Sequence, residues 1–420
     1  MKLKKSNTIE IKAKSGTNVI LQKAIDTLSS QGGGKLIISD GTFYMFDSLH
    51  LRSNVSIIGS KKTVLKKAKC VYSKLSADLG YGHYDVSVEK PELFKKGMGI
   101  YIFDDFGKGF YGTVATITWK DGDKLGIDRM LNHDYARIRN AMVCSVFPIV
   151  SGYYVKNAVI KGIMIDGNAD ENLFIDGCRG GGIFLLQCHN IDIENVFISN
   201  YNGDGLSFQQ CTNLKISNCE INNNRGSGLH PGSGSAGVVM SKCKITNNGK
   251  DGVFYCLRVT YTLLENCEIM ENGNDGISIG ARDTDHIIRN NIISNNCRYG
   301  IYFRPADRVM GGHRNLIDSN IIKDNCKNQG DSEVFIEDIT DDIWLKKNQI
   351  SGENSKYAII VGKYCERIVV DRDNVFGQFK KGVYPENSTS IVLKKVPQNL
   401  KLGPDYLNLK AVRHLNIKNP

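Results

Sequence analysis

Between Asp204 and Arg304 the sequence brings back acidic, basic and aromatic side chains at a step of 23 or 24 residues. Asp204, Asp251 and Asp275 each precede a glycine, namely Gly205, Gly252 and Gly276. His230, inside GSGLHPGSGSAG, and Tyr302 stand two residues after Gly228 and Gly300. Arg258 and Arg282 stand six after their glycines, Arg304 four after, and Asp283 follows Arg282. Two carboxyl groups flanking a glycosidic bond can act as acid and as base or nucleophile. A histidine or tyrosine can move a proton, and an arginine can neutralise an anionic substrate. Taken singly, each Asp reads as a turn residue, because Asp-Gly is a favoured turn pair. Each Arg reads as a solvated edge, and His230 reads equally well as an ordinary exposed histidine. Their shared step is what argues for one face.

That step must come from the elements beneath. Gly182, Gly205, Gly228, Gly252, Gly276 and Gly300 precede short apolar strands: GIFLL, GLSFQ, GLHPG, GVFYC, GISIG and GIYFR. A second signature ends on Ile198, Ile221, Ile245, Ile269 and Ile293. Repetition at this period means a solenoid, and strands divided by Asn, Gly and Asp turns make each unit one coil of a parallel β-helix. Neighbouring coils stack about 4.8 Å apart. Cys219, Cys243 and Cys267 then form a column, and Cys188 and Cys211 another, read as reduced buried thiols. Asn195, Asn218, Asn266 and Asn290 read as a ladder of turn amides.

Alternation along each strand points positions one and three after the glycine inward. Position two, holding Phe184, Ser207, His230, Phe254, Ser278 and Tyr302, points out. His230 is therefore expected exposed, with Gly232 beside it clearing space. Stacking would set Asp251 and Asp275 about 4.8 Å apart, and Asp204 and Asp251 about 9.6 Å apart. The first distance suits a retaining and the second an inverting hydrolase.

NVILQKAIDTLSS (18–30) carries apolar residues at helical spacing, so a short helix is expected to cap the first coils. The expected layout is one all-β domain, a single-stranded right-handed parallel β-helix, over 1–395. It comprises a cap and first coils at 15–69, a β-rich excursion at 70–150 and main coils at 151–395. Residues 396–420 are expected to be a tail or cover. The start GGGKLIISDGTFYMFDSLHLRSNVSIIG, the MIDGN at 164–168 and the repeated coils resemble right-handed parallel β-helix proteins of the pectate-lyase-like superfamily. That resemblance implies the fold and a carbohydrate-active branch, with hydrolases, lyases, epimerases and tailspikes all within it. The aspartate and histidine patterns of its polygalacturonases and mannuronan epimerases do not transfer cleanly to Asp204 and Leu229-His230-Pro231.

The expected activity is glycoside hydrolysis, with Asp251, Asp275, His230 and Asp204 catalytic and Arg258, Arg282, Asp283, Tyr302 and Arg304 binding substrate. This reading needs no cofactor and no metal. The alternatives are a uronate lyase or C5-epimerase, in which arginine or calcium neutralises the sugar carboxylate, and a non-catalytic glycan-binding or tailspike-like module. A net charge of +10 suits an acidic glycan. The basic cluster at 61–69 comes without any nucleic-acid motif, so no nucleic-acid partner is expected. No apolar run reaches membrane-span length. The first residues lack the apolar core of a secretory signal, so the location expected is cytoplasmic as written, or secreted if a signal has been removed. DGNADEN (166–172) fails the calcium-loop pattern at its sixth and twelfth positions. RPADRVMGGHRN (304–315) reads as a basic turn at the rim of the face.

Overall fold

The computed structural model describes residues 7–377, 379, 381–385 and 391–393, so the tail or cover expected over 396–420 lies outside the described residues. Two compact units form. One holds the described residues up to Lys215 with Cys219–Gly226, the other Ile216–Asn218 with the described residues from Ser227 onward. Both are built from coils of a right-handed parallel β-solenoid.

In the first unit one strand row starts Thr8–Ile11, Gly34–Ile38, Val55–Ile58, and a second starts Ser15–Thr17, Gly41–Met45, Thr63–Lys67. The third row starts only at Leu49–His50 and continues through Val150–Tyr153, Ile183–Leu186 and Leu206–Gln209. The helix Asn18–Ser30 follows the first strands of the other two rows and occupies the third row's turn in the chain order. It buries Leu21, Ala24, Ile25 and Leu28, the apolar stripe read from the sequence. The glycine run that follows is needed because chains pass closely there. Gly34 has φ +156°, and a Cβ on it would lie 2.3 Å from the Asn7 carbonyl oxygen.

The excursion enters between Thr63–Lys67 and Val150–Tyr153. It folds as a six-stranded antiparallel sheet in the spatial order Tyr72–Lys74, Met142–Cys144, Gly99–Phe103, Thr113–Asp121, Lys124–Ile127, Asp85–Ser87. Phe94, Ile100, Ile117, Leu125 and Tyr135 give it a core of its own.

In the second unit the coils register residue on equivalent residue, Leu229 on Val253 and Ser278 on Tyr302 for instance. Inward positions such as Ile277, Ile279, Ile301 and Phe303 are fully buried. The asparagines fall differently from the sequence reading. Asn218, Asn266 and Asn290 are exposed corner residues with φ of 53–55°, and Asn195 of the first unit has φ 52°. A left-handed corner favours Asn for its backbone tolerance, so these side chains form no amide ladder. The ladders stand one column on. Asn291, Asn320, Asn348 and Asn374 link Nδ2 to Oδ1 at 3.0, 3.0 and 2.9 Å. Asn248, Asn272, Asn296 and Asn325 do the same at 3.0, 3.0 and 2.8 Å, and Asn325 then donates to Glu333. The cysteine column runs into the first ladder. The Cys243 N–H meets Cys267 Sγ at 3.4 Å, and the Cys267 N–H donates to Asn291 Oδ1. All twelve thiols are free.

Candidate functional site

The site rests on one strand row of the second unit: Leu229–Gly232, Val253–Phe254, Ile277–Ile279, Ile301–Phe303 and Ser332–Ile336. Its outward column is His230, Phe254, Ser278, Tyr302 and Phe335. The parity argument predicts an exposed His230, yet only 6% of its surface is exposed. Large neighbours in its own column fill the space. Phe254 meets the imidazole edge-on, with ring centroids 5.1 Å apart.

Arg304 ties this column together. Its guanidinium carbon lies 4.4 Å from the Phe254 ring centroid. Nη1 donates to Ser278 Oγ at 2.9 Å and Nη2 to the Tyr255 carbonyl at 2.7 Å, while Asp283 Oδ2 lies 3.5 Å from Nη2. The Asp283 carboxylate is fully buried and accepts from the Val259 and Gly280 N–H groups. Burial pushes its pKa up to about 7, against the pull of those N–H groups and Arg304.

The aspartate column lies just before the strands. Asp251 Oδ1 accepts from the Asp275 N–H at 3.1 Å and from Asn274 Nδ2 at 2.8 Å, while Oδ2 accepts no hydrogen bond among the described residues. Burial, with the negative charge of Asp275 second, pushes the Asp251 pKa up to about 7. Asp275 is differently placed. It is wholly buried and gripped at both oxygens by Arg298, at 2.8 and 2.6 Å. The Arg298 guanidinium also stacks 4.4 Å from the Tyr302 ring centroid, and the Tyr302 hydroxyl donates to Glu337. Burial raises the Tyr302 pKa, as does the hydrogen bond to Glu337.

The face therefore brings together His230, Asp251, Asp275, Asp283, Tyr302 and Arg304. Two other expected members, Arg258 and Arg282, stand off this strand row. Arg258 and Arg282 are exposed corner residues with φ of 61° and 66°, and Arg282 Nε donates to the Val309 carbonyl. Left-handed corners turn both away from the strand direction that the six-residue spacing assumed. Asp204 belongs to the first unit and is buried there. Arg298 and Glu337 had no signal at the marker positions. Arg298 sits two residues before Gly300, in a turn that strand parity does not reach. Glu337 sits on a coil where Glu333 replaces the marker glycine. The basic turn 304–315 is paired with acidic residues of other coils, Arg308 with Asp341 and Arg314 with Asp285. In the first unit the 166–172 turn is met by Lys66 on Asp166 and Arg225 on Asp170. No cluster of metal-ligating side chains occurs among the described residues.

A family model described as right handed beta helix region matches residues 161–307 and 280–396, more than half of the chain. Solved structures with a similar fold include the A-module of a mannuronan C-5 epimerase of Azotobacter vinelandii. It has 15% identity and a TM-score of 0.56, with 93% of this chain and 97% of that one covered. An exopolygalacturonase of Thermotoga maritima has 14% identity and a TM-score of 0.51, with 93% and 94% covered. A surface adhesin of Streptococcus pneumoniae has 13% identity and a TM-score of 0.54, with 90% and 85% covered. At such identities the likeness is one of fold. No curated protein sequence matches the chain. The coil register, the three parallel strand rows and the matched model agree that the chain belongs to the right-handed β-helix family.

Proposed function

We propose that the chain is a carbohydrate-active enzyme that hydrolyses glycosidic bonds, with Asp251 as the proton donor. One observation carries this reading: Asp251 is buried with its pKa pushed up to about 7, and one of its carboxyl oxygens has no donor among the described residues. Such a group holds a proton at working pH and can give it to a leaving glycosidic oxygen. Asp275 and Asn274 fix the other oxygen, which orients the acid. The second carboxyl that hydrolysis requires is Asp283, since the charge of Arg304 acts on both aspartates. His230 and Tyr302 line the same column and would meet the sugar. The epimerase and exopolygalacturonase named above are known by carbohydrate activities, which supports the substrate class.

A uronate lyase or epimerase ranks second. It is favoured by His230 and Arg304 both packing on the Phe254 ring and by the net charge of +10. Against it, Arg298 and Arg304 already face Asp275 and Asp283. A sugar carboxylate would find both arginines engaged.

The test is a panel of neutral and acidic glycans assayed for new reducing ends and for the ultraviolet band of an unsaturated uronate. Reducing ends alone are expected, and Asp251→Asn should lower the rate by about 10²–10⁴-fold. Reducing ends together with the band would transfer the site to a lyase. Unchanged rates in Asp251→Asn would remove the residue from the chemistry.

A further inference from the structure

In the first unit two thiols meet at the neck of the excursion, and the glycan reading uses neither. Cys70 stands just ahead of the strand Tyr72–Lys74, and Cys144 ends the strand Met142–Cys144 that pairs with it. Their register sets Tyr72 opposite Cys144. The pairing runs one step further, with the Val71 N–H on Ser145 Oγ and the Ser145 N–H on the Val71 carbonyl, both at 2.8 Å. Cys70 therefore falls diagonally across from Cys144 on the same face. The Cys144 thiol donates to the Cys70 sulfur. Its other acceptor, the Tyr101 carbonyl, lies at 3.7 Å.

Two further observations set this pair apart from the other cysteine columns. Lys67 is fully buried, with Nζ donating to Asn202 Oδ1 at 2.9 Å and lying 4.7 and 5.1 Å from the ring centroids of Tyr201 and Phe147. No carboxylate pairs with it among the described residues, and the thiol charges that bear on it are those of Cys70 and Cys144. The two thiols also differ in access. Cys70 is partly exposed, and its pKa is lowered to about 6 by the bond from Cys144, with help from Lys67 and against burial. Cys144 is buried, and burial first, then the bond to Cys70, holds its proton on. An accessible thiolate beside a protected second thiol is the arrangement of a reversible oxidation site. In Cys188–Cys211 and Cys243–Cys267 both members are buried, so a reagent in water meets neither.

We infer that Cys70 and Cys144 form a modification site, at which hydrogen peroxide oxidises Cys70 and Cys144 then closes it into a disulfide. The Cys70 thiolate attacks one peroxide oxygen, the O–O bond breaks, and the leaving hydroxide takes up a proton to become water. Cys70 is then a sulfenic acid. The Cys144 sulfur attacks the Cys70 sulfur, the S–O bond breaks, and the hydroxyl leaves as water with the Cys144 proton. Two thiols and one peroxide become one disulfide and two waters, sulfur being oxidised and peroxide oxygen reduced. The second step is the slower, because Cys144 is buried and keeps its proton. The disulfide joins the chain entering the excursion to the chain leaving it, which restricts the unfolded state of the antiparallel sheet between them.

The reduced whole chain is treated with hydrogen peroxide, with and without dimedone, then alkylated and mapped by peptide mass. A linked Cys70–Cys144 peptide is expected, lost again on adding dithiothreitol, while Cys188, Cys211, Cys243 and Cys267 stay reduced. In Cys144→Ala the dimedone adduct should rest on Cys70. In Cys70→Ala no adduct should form on Cys144. The rate of Cys70 oxidation should rise with pH through about 6 and then level off, where an ordinary cysteine keeps gaining up to about 8.5. No linked peptide from the wild type, or linkage of Cys188 to Cys211 at an equal rate, overturns the proposal. The wild-type peptide decides the matter even if a variant folds poorly. No readout involves a glycan, so this site and the glycan site stand or fall separately.

Discussion

At the residue scale, the candidate acid is defined by what surrounds it. Asp251 accepts two hydrogen bonds at one oxygen and none at the other among the described residues, and burial holds its pKa near 7. The donor works only while protonated and Asp283, raised to about 7 as well, only while ionised. The rate should therefore peak at about pH 7, falling below it as Asp283 gains a proton and above it, on an alkaline limb, as Asp251 loses one. An unperturbed aspartate would place that limb near pH ~4. A profile of kcat/KM against pH distinguishes the two, and Asp251→Asn should abolish the limb along with the activity. The sequence showed Asp251 and Asp275 as equals, one coil apart before matching glycines. What separates them is Arg298, which grips Asp275 and does not bond Asp251. Arg298 lies in a turn whose direction no strand period encodes. His230 shows the same limit: its outward parity was legible in the sequence, but its cover by Phe254 depends on rotamers.

At the scale of the element, the coil depends on buried amides as much as on its apolar rows. Asn320 accepts from both the N–H and the Nδ2 of Asn291, and it donates to Ile288 and Asn348. Asn320→Ala strands donors and an acceptor in a dry interior, at a cost of about 1–3 kcal/mol for each group left unpaired. Chemical denaturation of Asn320→Ala should show that loss. Asn290→Gly, at an exposed corner with φ 55°, should cost little, because glycine accepts that conformation freely. Equal losses in the two variants would contradict the ladder. The sequence carried the coil period and the strand positions clearly between Gly182 and Gly300, where glycine and isoleucine mark successive coils. It did not separate the corner asparagines from the ladder asparagines. The two columns are neighbours in sequence, as Asn290 and Asn291 are, and differ only in which way the backbone turns. The helix was likewise legible from its apolar stripe, whereas the coil strands Thr8–Ile11 and Ser15–Thr17 ahead of it were not. Such short strands carry too little alternation to stand out.

At the scale of the whole molecule, the twelve free thiols offer a measure that spans both units. Nine are buried, and Cys70, Cys256 and Cys297 are partly exposed. The buried ones sit in columns such as Cys188–Cys211 and Cys243–Cys267, where each sulfur packs as a small apolar group and takes part in backbone hydrogen bonds. A thiol reacts through its thiolate and needs access to reagent. Native protein treated with an aromatic disulfide reagent should therefore release about three equivalents quickly and the full complement only in denaturant. Among the three, Cys70 should react first. Its pKa is lowered to about 6, chiefly by its hydrogen bond with Cys144 and against the opposing effect of burial. Below pH ~8 it would hold far more thiolate than an ordinary cysteine of pKa about 8.5. Cys256 serves the functional argument, because it stands two residues beyond Phe254, at the outward position of the candidate face. A glycan lying along that face should slow alkylation of Cys256 while leaving Cys70, in the other unit, at its free rate. Protection of neither thiol at saturating glycan would mean that the sugar binds on a different surface. Slowing of both to the same degree would mean that the glycan acts on the reagent or on the protein as a whole, and the face would lose this support.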